Sequence, residues 1–274
     1  MIKLVIADGC SLTAGADLPD WEMTEDGVER SNYSWAACIK NTLFPDATFY
    51  PIARTGSSNS HIRRRSLFYL SEALKTYKPE EILYFVMWSD PSRIEFRIQE
   101  NKPTKDYEMK RDTDESHYLF SLPIDLANTT RFSNSVVSQA NRNRWLAENR
   151  VLRIFSDYNL YHVCAETSLY NTFSEIESVR NFCFINKIRM YETTGFGHIV
   201  GQYWDIKFGE DKFLNRLIEI VDPTNTIHHN GRQEGMLEYS HRKGFKLGLT
   251  SHPLEETHSS WARTFIKHHN LENV

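Results

Sequence analysis

Two short apolar segments constrain the fold of this chain more than any other feature of its sequence. Residues 2–7 read Ile-Lys-Leu-Val-Ile-Ala, and residues 82–88 read Ile-Leu-Tyr-Phe-Val-Met-Trp. A strand with one face in water alternates apolar and polar residues, whereas these segments are almost continuously apolar. Such runs are typical of strands buried on both faces, which belong to parallel sheets covered by helices on each side.

The segments around these two strands predict an alternation of strands and helices. Residues 34–39 have the spacing of a short helix, and residues 48–53 form a weaker strand. A longer helix follows, with Asn59 or Ser60 as its cap and Pro79 at its end, because its apolar positions repeat every 3.6 residues. This order predicts right-handed βαβ units. We therefore expect an α/β protein, a three-layer α/β/α sandwich around a mainly parallel sheet.

The remainder of the chain extends this pattern within a single domain. The segment around 99–135 is rich in charged residues at its start, and we interpret it as a surface insertion, either a lid or a plain loop. The 274 residues contain neither an internal repeat nor a linker, so we expect one domain over 1–274. The further elements that the pattern predicts are helices over 137–158, 174–187 and 255–269, and a fourth strand over 188–193.

Composition and charge exclude several classes of protein. The 32 basic and 36 acidic residues leave a formal net charge of −4, without the basic excess of a nucleic-acid-binding surface. The four cysteines form no C-x-x-C pair, which argues against a zinc finger. The longest apolar run is seven residues, against about 20 for a membrane span. We expect a cytoplasmic protein without a signal peptide, a membrane partner or a nucleic-acid partner; the oligomeric state stays open.

Loops of small polar residues follow the first three strands and carry the residues suited to chemistry. In a parallel α/β sheet, ligands bind at the carboxyl ends of the strands, where such loops converge. Ser11 follows the first strand directly, and its hydroxyl needs a base to act as a nucleophile, since a free hydroxyl is too weakly acidic. The sequence offers His252, which precedes Pro253 in the loop before the last helix.

Four ordered blocks resemble those of the SGNH/GDSL hydrolase family, in particular its divergent branch carried by tailed bacteriophages. In order they are Gly9-Cys10-Ser11-Leu12-Thr13-Ala14-Gly15, Gly56-Ser57-Ser58-Asn59, Trp88-Ser89-Asp90-Pro91-Ser92-Arg93, and His252-Pro253 with His258 and Trp261-Ala262. The resemblance implies a flavodoxin-like fold and hydrolysis of small acyl esters, commonly O-acetyl groups of a carbohydrate. The mechanism that it implies needs no metal and no cofactor.

The resemblance also implies roles for individual residues. Ser11 matches the nucleophile of the family, and His252 matches its general base. The backbone N–H groups of Ser11 and Gly56 match donors of the oxyanion hole. Where the family has an asparagine as a further donor this chain has Ser89, so either Ser89 or Asn59 takes that role, or no residue does.

Two departures from the family pattern bear on activity. Cys10 stands where the family has an aspartate before the serine, and Leu249 and Thr250 stand where it has an aspartate before the histidine. No carboxylate is therefore expected to orient His252, which predicts a Ser–His dyad. The alternative is a catalytically degenerate domain of the same fold that binds a carbohydrate or a protein partner.

Two residues of the third block are weaker candidates for substrate binding. Trp88 could line a sugar cleft, although core packing is the usual role of an aromatic residue in such a strand. Arg93 could form a structural ion pair with Glu95 or hold an anionic substrate.

Overall fold

A parallel β-sheet forms the centre of the molecule in a computed structural model of the chain. The structure describes residues 1–24, 29–91, 93–97, 118–122, 165–196, 226–230 and 232–274. The predicted helix over 137–158 and most of the predicted insertion over 99–135 lie outside these residues. The single-domain organisation over 1–274 therefore stays a prediction.

The predicted strands over 2–7, 48–53, 82–88 and 188–193 are present in that order, further short strands that the sequence does not predict accompany them, and the helix predicted over 174–187 begins earlier, at Ala165. The described helices and strands are β1 (Leu4–Asp8), α1 (Ser11–Ala14), β2 (Glu22–Met23), β3 (Glu29–Arg30), α2 (Trp35–Leu43), β4 (Thr48–Pro51), α3 (Asn59–Ala73), β5 (Ile82–Trp88), β6 (Ile94–Arg97), β7 (Tyr118–Leu122), α4 (Ala165–Ile185), β8 (Arg189–Thr194), β9 (His228–His229), β10 (Arg232–Gln233), α5 (Met236–Lys243) and α6 (Glu255–His268).

The main sheet confirms the predicted fold class. Its four described strands are all parallel and lie in the order β4–β1–β5–β8. In sequence order these strands are second, first, third and fourth, which is how the flavodoxin-like arrangement 2-1-3-4-5 begins. This order places β1 between β4 and β5, so the loops after these three strands are neighbours.

Two separate hydrophobic clusters cover the two faces of the sheet, because successive residues of a strand point to opposite sides. Val5 and Phe85 face α2, α5 and α6 in one cluster, while Ile6 and Tyr84 face α3 and α4 in the other. The three layers of the α/β/α sandwich follow directly from this alternation. Among the described helices, none is both long enough and apolar enough to cross a bilayer.

Local details differ from the sequence predictions at two places. Ser58, rather than Asn59 or Ser60, caps α3, and its Oγ accepts a hydrogen bond from the backbone N–H of His61 at 3.1 Å. The segment over 16–31, which its acidic composition and weak periodicity predict to be a solvated loop, instead contains the buried Leu18 and the pairing of β2 with β3.

A buried ion pair fixes the end of β1 against α3. Asp8 is fully buried, and the Nε of Arg65 donates to its Oδ1 at 3.0 Å. The same guanidinium donates from Nη2 to the carbonyl of Gly9 at 2.9 Å and from Nη1 to the Oγ of Ser57 at 3.1 Å. One side chain therefore joins the loop after β1 to the loop after β4, and a buried charge is tolerated there because it is paired and hydrogen-bonded.

We predict that Arg65→Met lowers the free energy of unfolding by about 3–5 kcal/mol, since it leaves the Asp8 carboxylate buried without its partner. The matched control is Arg30→Met, because the side chains of Arg30 and its partner Glu22 are 55% and 56% exposed. Such an exposed pair contributes about 1 kcal/mol or less. Urea denaturation of both variants measures the difference, and equal midpoints would contradict the structural role of the buried pair.

Candidate active site

The loops after β1, β4 and β5 are hydrogen-bonded to one another at the carboxyl edge of the sheet. The backbone N–H of Arg54, after β4, donates to the carbonyl of Gly9, after β1, at 3.2 Å. The N–H of Ser89, after β5, donates to the Oδ1 of Asn59 at 2.8 Å. These contacts bring three of the four sequence blocks together.

Ser11 and His252 meet at this edge although 241 residues separate them along the chain. The Oγ of Ser11 lies 2.8 Å from the Nε2 of His252, which is hydrogen-bond distance. Ser11 opens the short helix α1, and His252 lies in the loop that leads into α6. The contact that the two sequence blocks predict is therefore present.

Thr250 and Asp17 hold the far side of the imidazole. The Oγ1 of Thr250 lies 2.6 Å from the Nδ1 of His252 and 2.8 Å from the Oδ2 of Asp17. The backbone N–H of Thr250 also donates to this Oδ2, at 2.7 Å. Because a carboxylate can only accept, the single hydroxyl hydrogen of Thr250 must point to Asp17, so its oxygen accepts from Nδ1–H of His252. The neutral imidazole then carries its proton on Nδ1 and presents an unprotonated Nε2 to Ser11.

Burial and neighbouring charges set the protonation of these groups. Desolvation lowers the pKa of His252 below its ordinary value; the charge of Asp17 raises it, and the charge of Arg93 lowers it further. Desolvation alone would raise the pKa of Asp17, but the hydrogen bonds from Thr250 outweigh it and hold this pKa below its ordinary value. At neutral pH the site therefore combines a neutral imidazole with an ionised carboxylate.

Hydrogen bonds join His252 through Thr250 to Asp17, and we call this set of contacts the relay. The backbone around the relay is tightly constrained. Asp17 and Ser251 both have a positive φ, at 67° and 65°, a conformation that Asp tolerates better than most residues. A Cβ on Gly248 would lie 2.5 Å from the carboxylate of Asp17, so only glycine fits there. The N–H of Gly248 donates to the carbonyl of His252 at 2.7 Å and closes the loop.

The expectation that no carboxylate orients His252 is wrong. The Oδ2 of Asp17 lies 3.6 Å from the Nδ1 of His252, with the Thr250 hydroxyl bonded to both groups. The family pattern directs attention to the residues just before the histidine, whereas this carboxylate follows the serine block. Its place in an acid-rich segment gave no signal that set Asp17 apart from its acidic neighbours.

The backbone groups of Ser11 and Gly56 are available for an oxyanion. Gly56 has φ +80° within a turn in which the N–H of Ser57 donates to the carbonyl of Arg54 at 3.3 Å. The buried carboxylate of Glu29 holds this turn by accepting from the N–H of Thr55 at 2.9 Å. Within the part of the chain that the structure describes, neither amide hydrogen is engaged in a hydrogen bond.

Asn59 and Ser89 differ in whether their side chains can donate to an oxyanion. The Nδ2 of Asn59 donates to the carbonyl of Ser89 at 3.0 Å and to the Oγ1 of Thr172 at 3.2 Å, so both amide hydrogens are occupied. Asn59 is therefore corrected from an oxyanion donor to a brace between two loops. The Oγ of Ser89 is buried and has no hydrogen-bond partner among the described residues, which leaves its hydroxyl as the candidate.

Trp88 does not line an open cleft. Its side chain is 1% exposed in the cluster beneath α3 and α4, and its indole N–H donates to the Oε2 of Glu192 at 2.8 Å. The substrate-binding prediction for Trp88 is thus corrected, because the alternation of β5 directs this side chain into a helix-covered face. Arg93 lies differently: its Nη1 is 3.3 Å from the carbonyl of Ser57, and its guanidinium lies 5.2 Å from the ring centre of Phe196.

His258 and Trp261 are structural residues of α6. His258 is buried and accepts a hydrogen bond at Nδ1 from the backbone N–H of Trp35 at 3.1 Å, which joins α6 to α2. Burial lowers the pKa of His258 to about 3, so it stays neutral. Trp261 packs edge-to-face against Tyr239 of α5. These contacts fix the helix that immediately follows the His252 loop.

Comparison with known proteins finds similarity in structure alone. No family model matches the chain, and no curated protein matches its sequence. Among solved structures, it is similar to a member of the lipolytic G-D-S-L family from Veillonella parvula, at 9% identity and a TM-score of 0.44, over 97% of both chains. It is also similar to a carbohydrate esterase family 2 enzyme with a carbohydrate-binding domain from Corynascus thermopiles. The identity is 9% and the TM-score 0.43, over 98% of this chain and 67% of that one. The chain is similar as well to a mutant acetyl-xylooligosaccharide esterase from Geobacillus Stearmophilus, at 11% identity and a TM-score of 0.43, over 97% of this chain and 93% of that one.

The hydrogen-bonded relay predicts how His252 titrates. By ¹⁵N NMR at pH 7 we expect the proton on Nδ1 and a pKa below the ordinary value of 6.5. Asp17→Asn removes a charge that raises this pKa, so its titration midpoint is expected to move lower still. Asp46→Asn, at an exposed residue, is the control and should leave the midpoint unchanged. A higher midpoint in Asp17→Asn, or a proton on Nε2 in the unsubstituted protein, would contradict the relay.

Proposed function

We propose that this protein is a serine hydrolase of small acyl esters that acts through a covalent acyl-enzyme. The observation that carries the proposal is the 2.8 Å contact between Ser11 Oγ and His252 Nε2 at the carboxyl edge of the sheet. A serine hydroxyl becomes a nucleophile when a neighbouring base can take its proton, and this pair has the required distance. The four sequence blocks of the SGNH/GDSL family add independent support.

The first half of the reaction transfers the acyl group to the protein. The Oγ of Ser11 attacks the ester carbonyl carbon, and its proton moves to Nε2 of His252. The carbonyl oxygen becomes an oxyanion in the tetrahedral intermediate. When the intermediate collapses, the bond to the alcohol oxygen breaks and His252 returns its proton to that leaving alcohol.

Water completes the cycle. A water molecule gives a proton to Nε2 of His252 while its oxygen attacks the acyl carbon. A second tetrahedral intermediate then collapses, the bond to Ser11 Oγ breaks, and His252 reprotonates the serine. The carboxylic acid leaves, and every proton transfer in both halves uses side chains of this chain.

Thr250 and Asp17 are positioning residues in this scheme, since they act through His252. They hold the proton on Nδ1, and the negative charge of Asp17 stabilises the positive charge that develops on the imidazole. In a triad with a direct contact, loss of the orienting carboxylate's charge lowers turnover about 10⁴-fold. Here the closest approach of Asp17 to Nδ1 is 3.6 Å and a hydroxyl intervenes, so we expect a smaller loss from Asp17→Asn.

The oxyanion is best stabilised by the amides of Ser11 and Gly56, with the hydroxyl of Ser89 as a third donor. Each such donor contributes about 10²–10³-fold to turnover in well-studied hydrolases. The amide of Asn59 is occupied, so this chain depends on backbone groups more than the family pattern implies.

O-acetyl groups of a carbohydrate are the proposed substrates, by resemblance to the family, whereas the bacteriophage-type branch and the cytoplasmic location stay predictions.

The alternative function is a degenerate domain that binds a carbohydrate or a protein partner without turnover. The occupied amide of Asn59 and the serine at position 89 favour it, because both weaken the oxyanion hole. The position of Asp17 argues in the other direction, since a binding module has no need for an imidazole held in a single tautomer.

Hydrolysis of p-nitrophenyl acetate separates the two functions. We expect serine-dependent turnover by the unsubstituted protein and a loss of at least about 10³-fold in kcat for Ser11→Ala and for His252→Ala, because each removes one member of the pair. Ser71→Ala, at a serine whose Oγ bonds to a carbonyl within α3, is the control and should keep full activity. If none of the substitutions changes the rate, the binding domain becomes the better account.

A further inference from the structure

Arg93 lies where three loops of the carboxyl edge meet. It follows β5, its Nη1 donates to the carbonyl of Ser57 after β4 at 3.3 Å, and its guanidinium covers the ring of Phe196 after β8. Ser11 emerges from β1 on the same edge, between β4 and β5. The Arg93 side chain thus contacts Phe196 and the Ser57 carbonyl on the same edge of the sheet as the proposed nucleophile.

Few of the donors of Arg93 are used by the part of the chain that the structure describes; the side chain of Glu95, its alternative partner from the sequence, lies outside that part. A guanidinium carries five N–H donors, and within the described residues Arg93 has one long hydrogen bond and no carboxylate partner. Three other arginines with limited exposure are each paired with an acid: Arg65 with Asp8, Arg180 with Glu192, and Arg242 with Glu234. A partly buried guanidinium without an anion is costly, because it loses hydration and gains little in return.

The charge of Arg93 reaches the proposed catalytic base. It is one of the groups that lower the pKa of His252, after desolvation and in opposition to Asp17. Arg93 follows β5 and contacts the loop after β4, and both strands flank β1, so an anion bound to Arg93 would lie on the edge of the sheet from which Ser11 emerges.

We propose that Arg93 binds a carboxylate of the substrate next to the ester that is cleaved, an inference that rests on the proposed hydrolase function. The planar fork of a guanidinium matches a carboxylate in a bidentate pair. The cation–π contact with Phe196, at 5.2 Å from the ring centre, helps to hold the guanidinium in place. The Asp17 carboxylate accepts a hydrogen bond from Thr250 beside His252, and Asp90 lies two residues after β5, so this edge already carries acidic residues and a singly charged carboxylate is favoured over a doubly charged phosphate. The preferred ester then carries its carboxylate either in the acyl half or in the alcohol half.

Matched esters locate the charge. p-Nitrophenyl acetate is neutral, p-nitrophenyl hemisuccinate carries a carboxylate in its acyl half, and 4-acetoxybenzoate carries one in its alcohol half. We expect kcat/KM to favour one anionic ester over its neutral counterpart (phenyl acetate for 4-acetoxybenzoate) by about tenfold or more, the usual scale of a charge-assisted hydrogen bond. This ratio should fall toward one in Arg93→Met and take an intermediate value in Arg93→Lys, which keeps the charge and loses the fork.

The ratio is measured at pH 8, where His252 is neutral in every variant, so that a change in its pKa does not affect the comparison. Arg263→Met removes one positive charge from the exposed face of α6 and serves as the control. It should leave the ratio unchanged. Ratios that are equal in the unsubstituted protein and in Arg93→Met, for both anionic esters, would overturn the proposal.

A binding measurement separates failure of this inference from failure of the hydrolase function. If no ester is turned over in a serine-dependent way, the hydrolase proposal fails and Arg93 is tested by NMR titration of Ser11→Ala and the double variant Ser11→Ala/Arg93→Met. Tighter binding of an anionic ester by Ser11→Ala alone would support the carboxylate site. Equal binding by both variants, or no preference over the neutral ester, would overturn it.

Discussion

The central position of β1 in an all-parallel sheet is the constraint on which the rest of the structure depends. Because β4 and β5 flank it in the same direction, three consecutive strand exits open onto one edge. The buried pair of Asp8 and Arg65 then fixes the exit of β1 against α3. Ser11 follows only three residues later, so the position of the hydroxyl is set by the core and not by a free loop.

The second half of the site comes from the opposite end of the chain and is held by polar contacts. The Thr250 hydroxyl converts a carboxylate that lies 3.6 Å from the imidazole into a continuous path of hydrogen bonds. This path assigns the proton to Nδ1 without a direct contact between Asp17 and His252. The Gly248 loop and the positive φ of Asp17 are the backbone features that make the path possible.

The sequence predicted the layers well and the side-chain contacts unevenly, for physical reasons. The strand over 82–88 was predicted to the residue, because a continuous run of apolar residues is stable only where both faces of the strand are buried. The contact of Ser11 with His252 followed from two blocks that resemble those of the SGNH/GDSL family, one directly after β1 and one directly before α6. Asp17 was missed because its partner Thr250 lies 233 residues away and no local pattern encodes that approach. Trp88 was wrongly considered for substrate binding. It is the last residue of β5, and the sequence does not show that α3 and α4 still cover the sheet at that point.

Covalent trapping with a fluorophosphonate shows whether Ser11 is an activated nucleophile. A fluorophosphonate loses fluoride only to a nucleophile that a base has activated, so intact mass followed by peptide mapping identifies the reacting group. We predict one adduct per chain, on Ser11, that disappears in His252→Ala. An adduct on Cys10 or Ser89 instead, or labelling of Ser11 at the same rate without the imidazole, would contradict this prediction.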